Sequence, residues 1–374
     1  MWWINKKDVL LDIASKTSNC IVYNKKSIEK SITKLNEIES IDRLFYAMKA
    51  NFNPEILQII NEYGLGFECV STGEIKHLYE SVPNINDKKI IYTPNFAARD
   101  DYIWALNNQI MVTVDNLYPF IKWPEIFKNK RIMIRIDPGV GDGHHDHVIT
   151  GGSFSKFGIP VSDVEKIMEL SKKYNINIIG LHVHSGSGIK NISTWLDTAK
   201  KLLELSKLIN DIEIINLGGG IPIKEKLEEK EFDLNAFGKK LNNLKTSFRD
   251  IEMWFEPGRF IVGESGVITT HVTQTKQKDH YKYIGVDIGM NVLIRPVLYG
   301  SYHEIVNLSK YNHKHTNQVS IVGPICESGD KLGENRAFPD TDEGDVILIA
   351  NAGAYVSSMS SDYNLREKPK ELII

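Results

Sequence analysis

The chain has 374 residues, 42% hydrophobic and 25% charged, with a net charge of −3. That length suggests two domains or one barrel with an appendage, and the near-neutral charge gives no electrostatic reason to expect nucleic acid or an anionic membrane as partner. No apolar run approaches the ~20 residues of a membrane helix, and the opening MWWINKKDVLLDIASK is apolar only in short pieces, unlike a signal peptide. Cys20, Cys69 and Cys326 form no CxxC pattern, which suits a reducing cytoplasm better than a disulfide framework.

Along the chain, short apolar and β-branched runs alternate with amphipathic stretches. The runs are Leu44–Met48, Leu65–Val70, Ile90–Thr93, Met111–Val114, Arg131–Ile136, Ile178–Val183, Glu213–Leu217 and Glu252–Phe255. Pro54–Tyr63, Val161–Tyr174 and Thr194–Ile209 between them carry apolar residues at helical spacing. This pattern predicts a (β/α)8 barrel over residues 22–262. A doubly wound sheet is the alternative, but no GxGxxG follows the first strand. Beyond Arg259 the texture changes. Val267–Lys276, Tyr281–Asp287, Glu304–Leu308, Gln318–Val322 and Asp345–Ala350 read as strands of a mostly antiparallel β domain over 263–374. Residues 1–21 are expected to join it.

Active sites of such barrels lie at the C-terminal ends of the strands. Reading just past each run gives Lys49, then Glu68 and Ser71, then Asn95, Asp115, Asp137, His184, Gly218–Gly220 and Glu256. Polar loop ends explain Asn95, Asp115 and Asp137 equally well. Lys49, in FYAMKAN, would be partly desolvated at an apolar mouth and could attack an aldehyde. Standing alone, it could equally be a surface lysine at a helix start. Gly218-Gly219-Gly220 offers bare amides to a phosphate, or forms only a tight turn. Glu256-Pro257-Gly258-Arg259 ends the next strand, in the other loop where barrels commonly hold phosphate. A carboxylate at Glu256 against a pyridine nitrogen would favour a pyridinium and make the ring an electron sink. His184 could lie flat on such a ring, and His182, on the same strand face, competes for that role.

These motifs carry a resemblance. YAMKAN (Tyr46–Asn51), HSGS (His184–Ser187), LGGGIPI (Leu217–Ile223), EPGR (Glu256–Arg259), VDIGMNVLIRPVLYGSYH (Val286–His303), CESGD (Cys326–Asp330) and NAGAYVSSMSSDYN (Asn351–Asn364) occur in one order along essentially the whole chain. The chain resembles the fold-type III pyridoxal-phosphate decarboxylases, and among them the diaminopimelate decarboxylases. The resemblance implies pyridoxal 5'-phosphate as cofactor and decarboxylation of meso-diaminopimelate to L-lysine. It makes Lys49 the Schiff-base lysine and His184 the residue stacked on the ring. Ser187, Gly219, Gly220, Gly258 and Arg259 would hold the phosphate, Glu256 the pyridine nitrogen, and Glu68 and Tyr355 would complete the cofactor contacts. Arg259, Arg295, Tyr299, Glu327 and Tyr355 would contact substrate, and Cys326 would donate a proton. Cys326 and Glu327 would reach the partner subunit's site in a homodimer. Four features depart from the pattern: Glu68 stands where the family usually carries aspartate, the tail lacks RPRP, the chain is somewhat short, and the segment 139–158 is rich in histidine.

Diaminopimelate carries both a carboxylate and an ammonium at its distal end, so a guanidinium and an acid are needed together. Arg295 with Arg259 and Glu327 supplies them. The rivals are a sister decarboxylase acting on ornithine, lysine, carboxynorspermidine or a related basic amino acid, and an inactive homologue acting as a binding protein. An alanine racemase–like enzyme is disfavoured by EPGR, because a racemase pairs the pyridine nitrogen with arginine. His144, His145 and His147 invite a zinc reading, but no second ligand pair is near in sequence. Their bracketing glycines read instead as the hinges of a lid, and no metal is expected.

Overall fold

The computed structural model describes residues 1–139, 155–209, 211–226, 228–248 and 250–374. The chain divides into two compact units. One comprises Ile32–Pro222 and Phe232–Phe260; the other comprises Met1–Ser31, Ile223–Glu231 and Ile261–Ile374.

The first unit is a closed parallel barrel. Its strands are β1 (Arg43–Ala47), β2 (Gly66–Cys69), β3 (Ile90–Tyr92), β4 (Met111–Val114), β5 (Arg131–Asp137), β6 (Asn177–His182), β7 (Ile214–Asn216) and β8 (Glu252–Phe255). Each pairs in parallel with the next, β8 returns to β1, and the two-residue strand Ile159–Pro160 hangs off β5. The predicted strands therefore stand, each within two residues of its expected ends. The helices obey local rules. Asn53 caps Pro54–Glu62, its side chain accepting from Glu55 N–H, with proline in the first turn. Ser71 caps Thr72–Ser81, its hydroxyl accepting Glu74 N–H, while the Glu74 side chain reaches back to accept Val70 N–H, just before the cap.

Phe45, Ile91, Met133, Ile179, Ile214 and Trp254 pack into one cluster inside the barrel. Phe45 and Trp254 have ring centroids 4.8 Å apart. Gly66 on β2 makes room for them, since a Cβ there would stand 2.5 Å from the Phe45 ring. Strand alternation sets the next layer. For four of these six plug residues the residue two further along is polar: Thr93 after Ile91, Arg135 after Met133, Asn216 after Ile214, Glu256 after Trp254. The barrel is thus apolar along its length and polar at its C-terminal mouth.

The second unit is built on an eight-stranded, mostly antiparallel sheet. Gly266–Lys278 pairs antiparallel with Cys20–Tyr23, Tyr281–Val286 and Val346–Ile349. The N-terminal segment thus contributes a strand to this sheet. Two strands lie outside the sequence expectation: Lys331–Phe338, whose polar Glu334-Asn335-Arg336 disguises it, and Lys370–Ile373, which runs parallel to Cys20–Tyr23. A core including Leu10, Cys20, Val22, Val267, Leu308 and Leu348 packs the N-terminal helix Lys7–Lys16 against this sheet.

Candidate active site

The barrel mouth gathers ionisable groups from most of its strands. Lys49 sits on a single 3-10 turn, Met48–Ala50, directly after β1. Its Nζ pairs with the Glu68 carboxylate at the end of β2, and the Thr93 hydroxyl donates to the other oxygen of Glu68. The apolar environment expected around Lys49 is therefore corrected: its partner is a buried carboxylate, while its own side chain stays 37% exposed.

Glu256, after β8, is 4% exposed. One oxygen lies 3.1 Å from His182 Nε2 and the other accepts from Asn216 Nδ2 at 2.8 Å. Burial pushes this carboxyl's pKa up, but His182 beside it, with Lys49 further off, outweighs burial and holds it below the ordinary value. A buried carboxylate kept ionised is what a protonated pyridine nitrogen requires. The two competing histidines are separated: His182 supports Glu256, whereas His184 Nδ1 lies 3.1 Å from the Gly219 carbonyl. That contact makes Nδ1 the protonated nitrogen. Burial, reinforced by Arg135 and Lys49, drives the His184 pKa down to about 3, so its ring is neutral and can lie against another flat ring without adding charge.

The glycine run after β7 is a junction of three loops. Gly218 O accepts Glu256 N–H at 2.9 Å, and Gly220 O accepts both Gly188 and Ile189 N–H at 3.0 Å. Gly218 and Gly220 have φ of +65° and +121°, and a Cβ on Gly219 or Gly220 would overlap the Glu256 or Gly186 carbonyl. Only glycine fits there. Gly258 is similarly close to Ala47 and Ala50, 3.0 Å from a Cβ to either. Arg259, buried, donates from Nη2 to the Ser187 hydroxyl at 3.3 Å. Bare backbone, a hydroxyl and a guanidinium thus meet at the ends of β6, β7 and β8, the donor set of a phosphate site. The residues present fit pyridoxal phosphate at each end: Lys49 for its aldehyde, Glu256 for its ring nitrogen, and the glycine junction with Ser187 and Arg259 for its phosphate.

Arg135, Thr93 and Asn216 escape the strand-end reading of the sequence, although their spacing from plug residues would have found them. Arg135 is buried and lies 4.6 Å over the Phe157 ring. Burial lowers its pKa against the opposing pull of Glu256, Asp115, Glu68 and Asp137. It is a fixed cation amid the mouth's carboxylates. Of the ambiguous strand-end residues, Asp137 accepts Gly139 N–H at 2.9 Å. Asp115 is buried with its pKa pushed up by desolvation, Asn95 is partly exposed, and Ser71 caps the helix Thr72–Ser81. His144, His145 and His147, with the lid assigned to them, lie outside the described residues.

The second unit holds the remaining candidates. Cys326 is a free, exposed cysteine, and Glu327 beside it accepts from the Tyr363 hydroxyl at 2.7 Å. The loop carrying them is tied down by Asp330, whose carboxylate accepts Met290 N–H at 2.6 Å and Ile325 N–H at 2.7 Å. Arg295 and Tyr299 open and close the helix Arg295–Tyr299; Arg295 is buried and Tyr299 partly exposed. Tyr355 has φ of +58°, a left-handed conformation that is costly for a large side chain and common at functional sites.

Residues 25–263 match the family model described as pyridoxal-dependent decarboxylase, pyridoxal binding domain. The chain belongs to this family. It is 35% identical to diaminopimelate decarboxylase of Methanothermobacter thermautotrophicus, covering 89% of this chain and 80% of that one. It is 34% identical to the Aquifex aeolicus diaminopimelate decarboxylase, over 88% and 80%. The crystal structure of diaminopimelate decarboxylase from M. jannaschii in co-complex with L-lysine superposes with a TM-score of 0.88 at 28% identity, covering 98% of this chain and 89% of that one.

Proposed function

We propose that this chain decarboxylates meso-diaminopimelate to L-lysine with pyridoxal phosphate as cofactor. The observation that carries the chemistry is Glu256: a buried carboxylate kept ionised by His182 and steadied by Asn216. Bound pyridoxal phosphate supplies an aldehyde that condenses with amines and a ring that accepts the electron pair left when a carboxylate departs as carbon dioxide. Glu256 holds the proton on the ring nitrogen. Lys49 is the amine that fastens the cofactor to the chain, with Glu68 beside it. His184 presents its neutral face to the ring. Ser187, Gly219, Gly220, Gly258 and Arg259 bind the phosphate, and Tyr355 adds its hydroxyl. Cys326 gives its Sγ proton to the substrate carbon after carbon dioxide leaves.

Substrate choice rests on the second unit. Arg295 takes the distal carboxylate, Glu327 the distal ammonium, and Tyr299 lies on the same helix as Arg295. The Methanothermobacter and Aquifex relatives are diaminopimelate decarboxylases, which supports the same reading. Exposed Cys326 and Glu327 are assigned to the site of the partner subunit in a homodimer. No helix among the described residues is long and apolar enough to cross a membrane, and the cysteines are free; we place the enzyme in the cytoplasm. The deciding experiment measures carbon dioxide release from meso-diaminopimelate, ornithine and lysine side by side. Strong preference for diaminopimelate is expected; a preference for either of the others would overturn the substrate assignment.

A further inference from the structure

Arg295 is buried, and a guanidinium out of water needs acceptors arranged around it. One of them is His303, which is fully buried. His303 Nδ1 lies 2.9 Å from the Ala350 carbonyl, and its Nε2 lies 3.4 Å from Arg295 Nη1. A carbonyl can only accept, so Nδ1 carries the hydrogen and Nε2 presents its lone pair to the arginine. The imidazole is therefore the neutral Nδ1–H form. Its backbone is pinned as well. Arg336 Nη2 donates to the His303 carbonyl at 3.1 Å, and the same guanidinium stacks 3.9 Å over Tyr302. Ala350 N–H in turn donates to Glu304 O at 2.8 Å, just beyond the pairing of Ile305 with Ile349. The acceptor facing Arg295 is thus fixed through the opposite ring nitrogen and through its own backbone.

We infer that His303 is a positioning residue for substrate selection: it orients Arg295 through a neutral acceptor, which does not itself cancel the positive charge that is to meet the substrate's distal carboxylate. A carboxylate at this position would orient the guanidinium equally well but cancel its charge. The inference rests on the reading that Arg295 meets that carboxylate.

The test compares two ligands of the holoenzyme by calorimetry. L-Lysine retains the amino-acid end that lies distal in the substrate, and 1,5-diaminopentane has the same chain without any carboxylate. Arg295→Ala and His303→Leu should each weaken L-lysine by about tenfold or more, the worth of a charged hydrogen bond, and leave the diamine at wild-type affinity. In steady-state assays KM for diaminopimelate should rise with little change in kcat. His303→Gln, whose amide oxygen replaces Nε2, should recover most of the loss. If Arg295→Ala discriminates between the ligands but both His303 variants bind like wild type, the positioning role is overturned alone. If Arg295→Ala affects both ligands alike, the assignment of Arg295 fails and this inference with it. Equal losses on both ligands in His303→Leu, without rescue by His303→Gln, would mark His303 as merely structural. Should His303→Leu fail to fold, His303→Gln against His303→Glu decides. The glutamate variant should bind L-lysine poorly, and equal binding by the two overturns the proposal.

Discussion

Two buried carboxylates, one in each unit, carry opposite shifts. Glu256 in the barrel is held below its ordinary pKa, while Asp330 in the β unit is pushed above its own. Both are nearly inaccessible, at 4% exposure each. The difference lies in their partners. Burial raises both, but Glu256 faces a histidine with Lys49 behind it, whereas Asp330 meets backbone N–H groups of Ile325 and Met290 and only distant help from Arg366. At Asp330 two backbone N–H bonds lower the pKa less than burial raises it; at Glu256 the histidine and the lysine together outweigh burial. The barrel uses its carboxylate as a charge, and the β unit uses its carboxylate as a clamp for the loop that exposes Cys326 and Glu327.

The largest expected effect is at the attachment point. Lys49→Ala should abolish turnover, and borohydride should no longer fix cofactor to the chain. Near-normal activity in this variant would remove the barrel mouth as the active site. Next comes the charge itself. Glu256→Gln keeps the shape and hydrogen-bonding reach but loses the negative charge, and kcat should fall by about 10²–10³, as for other preorganised electrostatic groups. The same variant tests the direction of the shift. The unfolded chain takes up the proton first as pH falls. The stabilising contribution of Glu256 is therefore present above its ordinary value of 4.5 and is lost as pH falls through its lower folded-state value. In denaturant unfolding, the stability gap between wild type and Glu256→Gln should narrow below about pH 4.5. A gap independent of pH would mean Glu256 is not held ionised.

Cys326→Ala should lower kcat by about 10², the usual contribution of a proton donor, with unfolding unchanged because the thiol is exposed. Mixing it with Lys49→Ala asks where the two residues meet. If Cys326 serves its partner's site, random exchange puts half of the dimers in mixed form, and about a quarter of all sites recover both residues. Zero recovery with demonstrated exchange would place Lys49 and Cys326 in a single chain's site.

The same contrast explains what could be read in the sequence. The eight barrel strands and the strand-end candidates were legible because a short apolar run and a position at its end are both local facts. Lys49, Glu68, His184, Gly218–Gly220, Glu256 and Arg259 do converge on one mouth. Arg135 and Asn216 lie within the strands themselves, and only their alternation with Met133 and Ile214 marks them as inward-facing. His182 and His184 could not be ranked, because sequence shows that they share a strand face but not that Glu256 reaches only the first. Lys331–Phe338 is hidden for the converse reason. It is a strand whose outward residues are charged, and its pairing partner Asn317–Val322 supplies the order that its own composition does not.

The smallest effect belongs to the clamp. Gly289 and Gly323 leave space for the Asp330 carboxylate, since a Cβ on either would crowd or overlap Oδ2. Asp330→Asn therefore fits, but an amide has only one oxygen for two N–H donors. One of the bonds to Met290 and Ile325 is lost, and its donor faces an NH₂ group. That should cost about 1–3 kcal/mol, the range for a hydrogen bond left unmade in a buried place. Catalysis should fall only a few-fold, because Cys326 and Glu327 remain but are less firmly held. The pH dependence should run opposite to that of Glu256. A raised carboxyl pKa gives stability that is complete below the ordinary value of 3.8 and lost as pH rises through the folded-state value. Wild type should therefore exceed Asp330→Asn most at low pH, with the advantage shrinking toward neutrality. If instead the advantage grows with pH, Asp330 is paired with positive charge, and the distinction drawn between the two carboxylates is wrong.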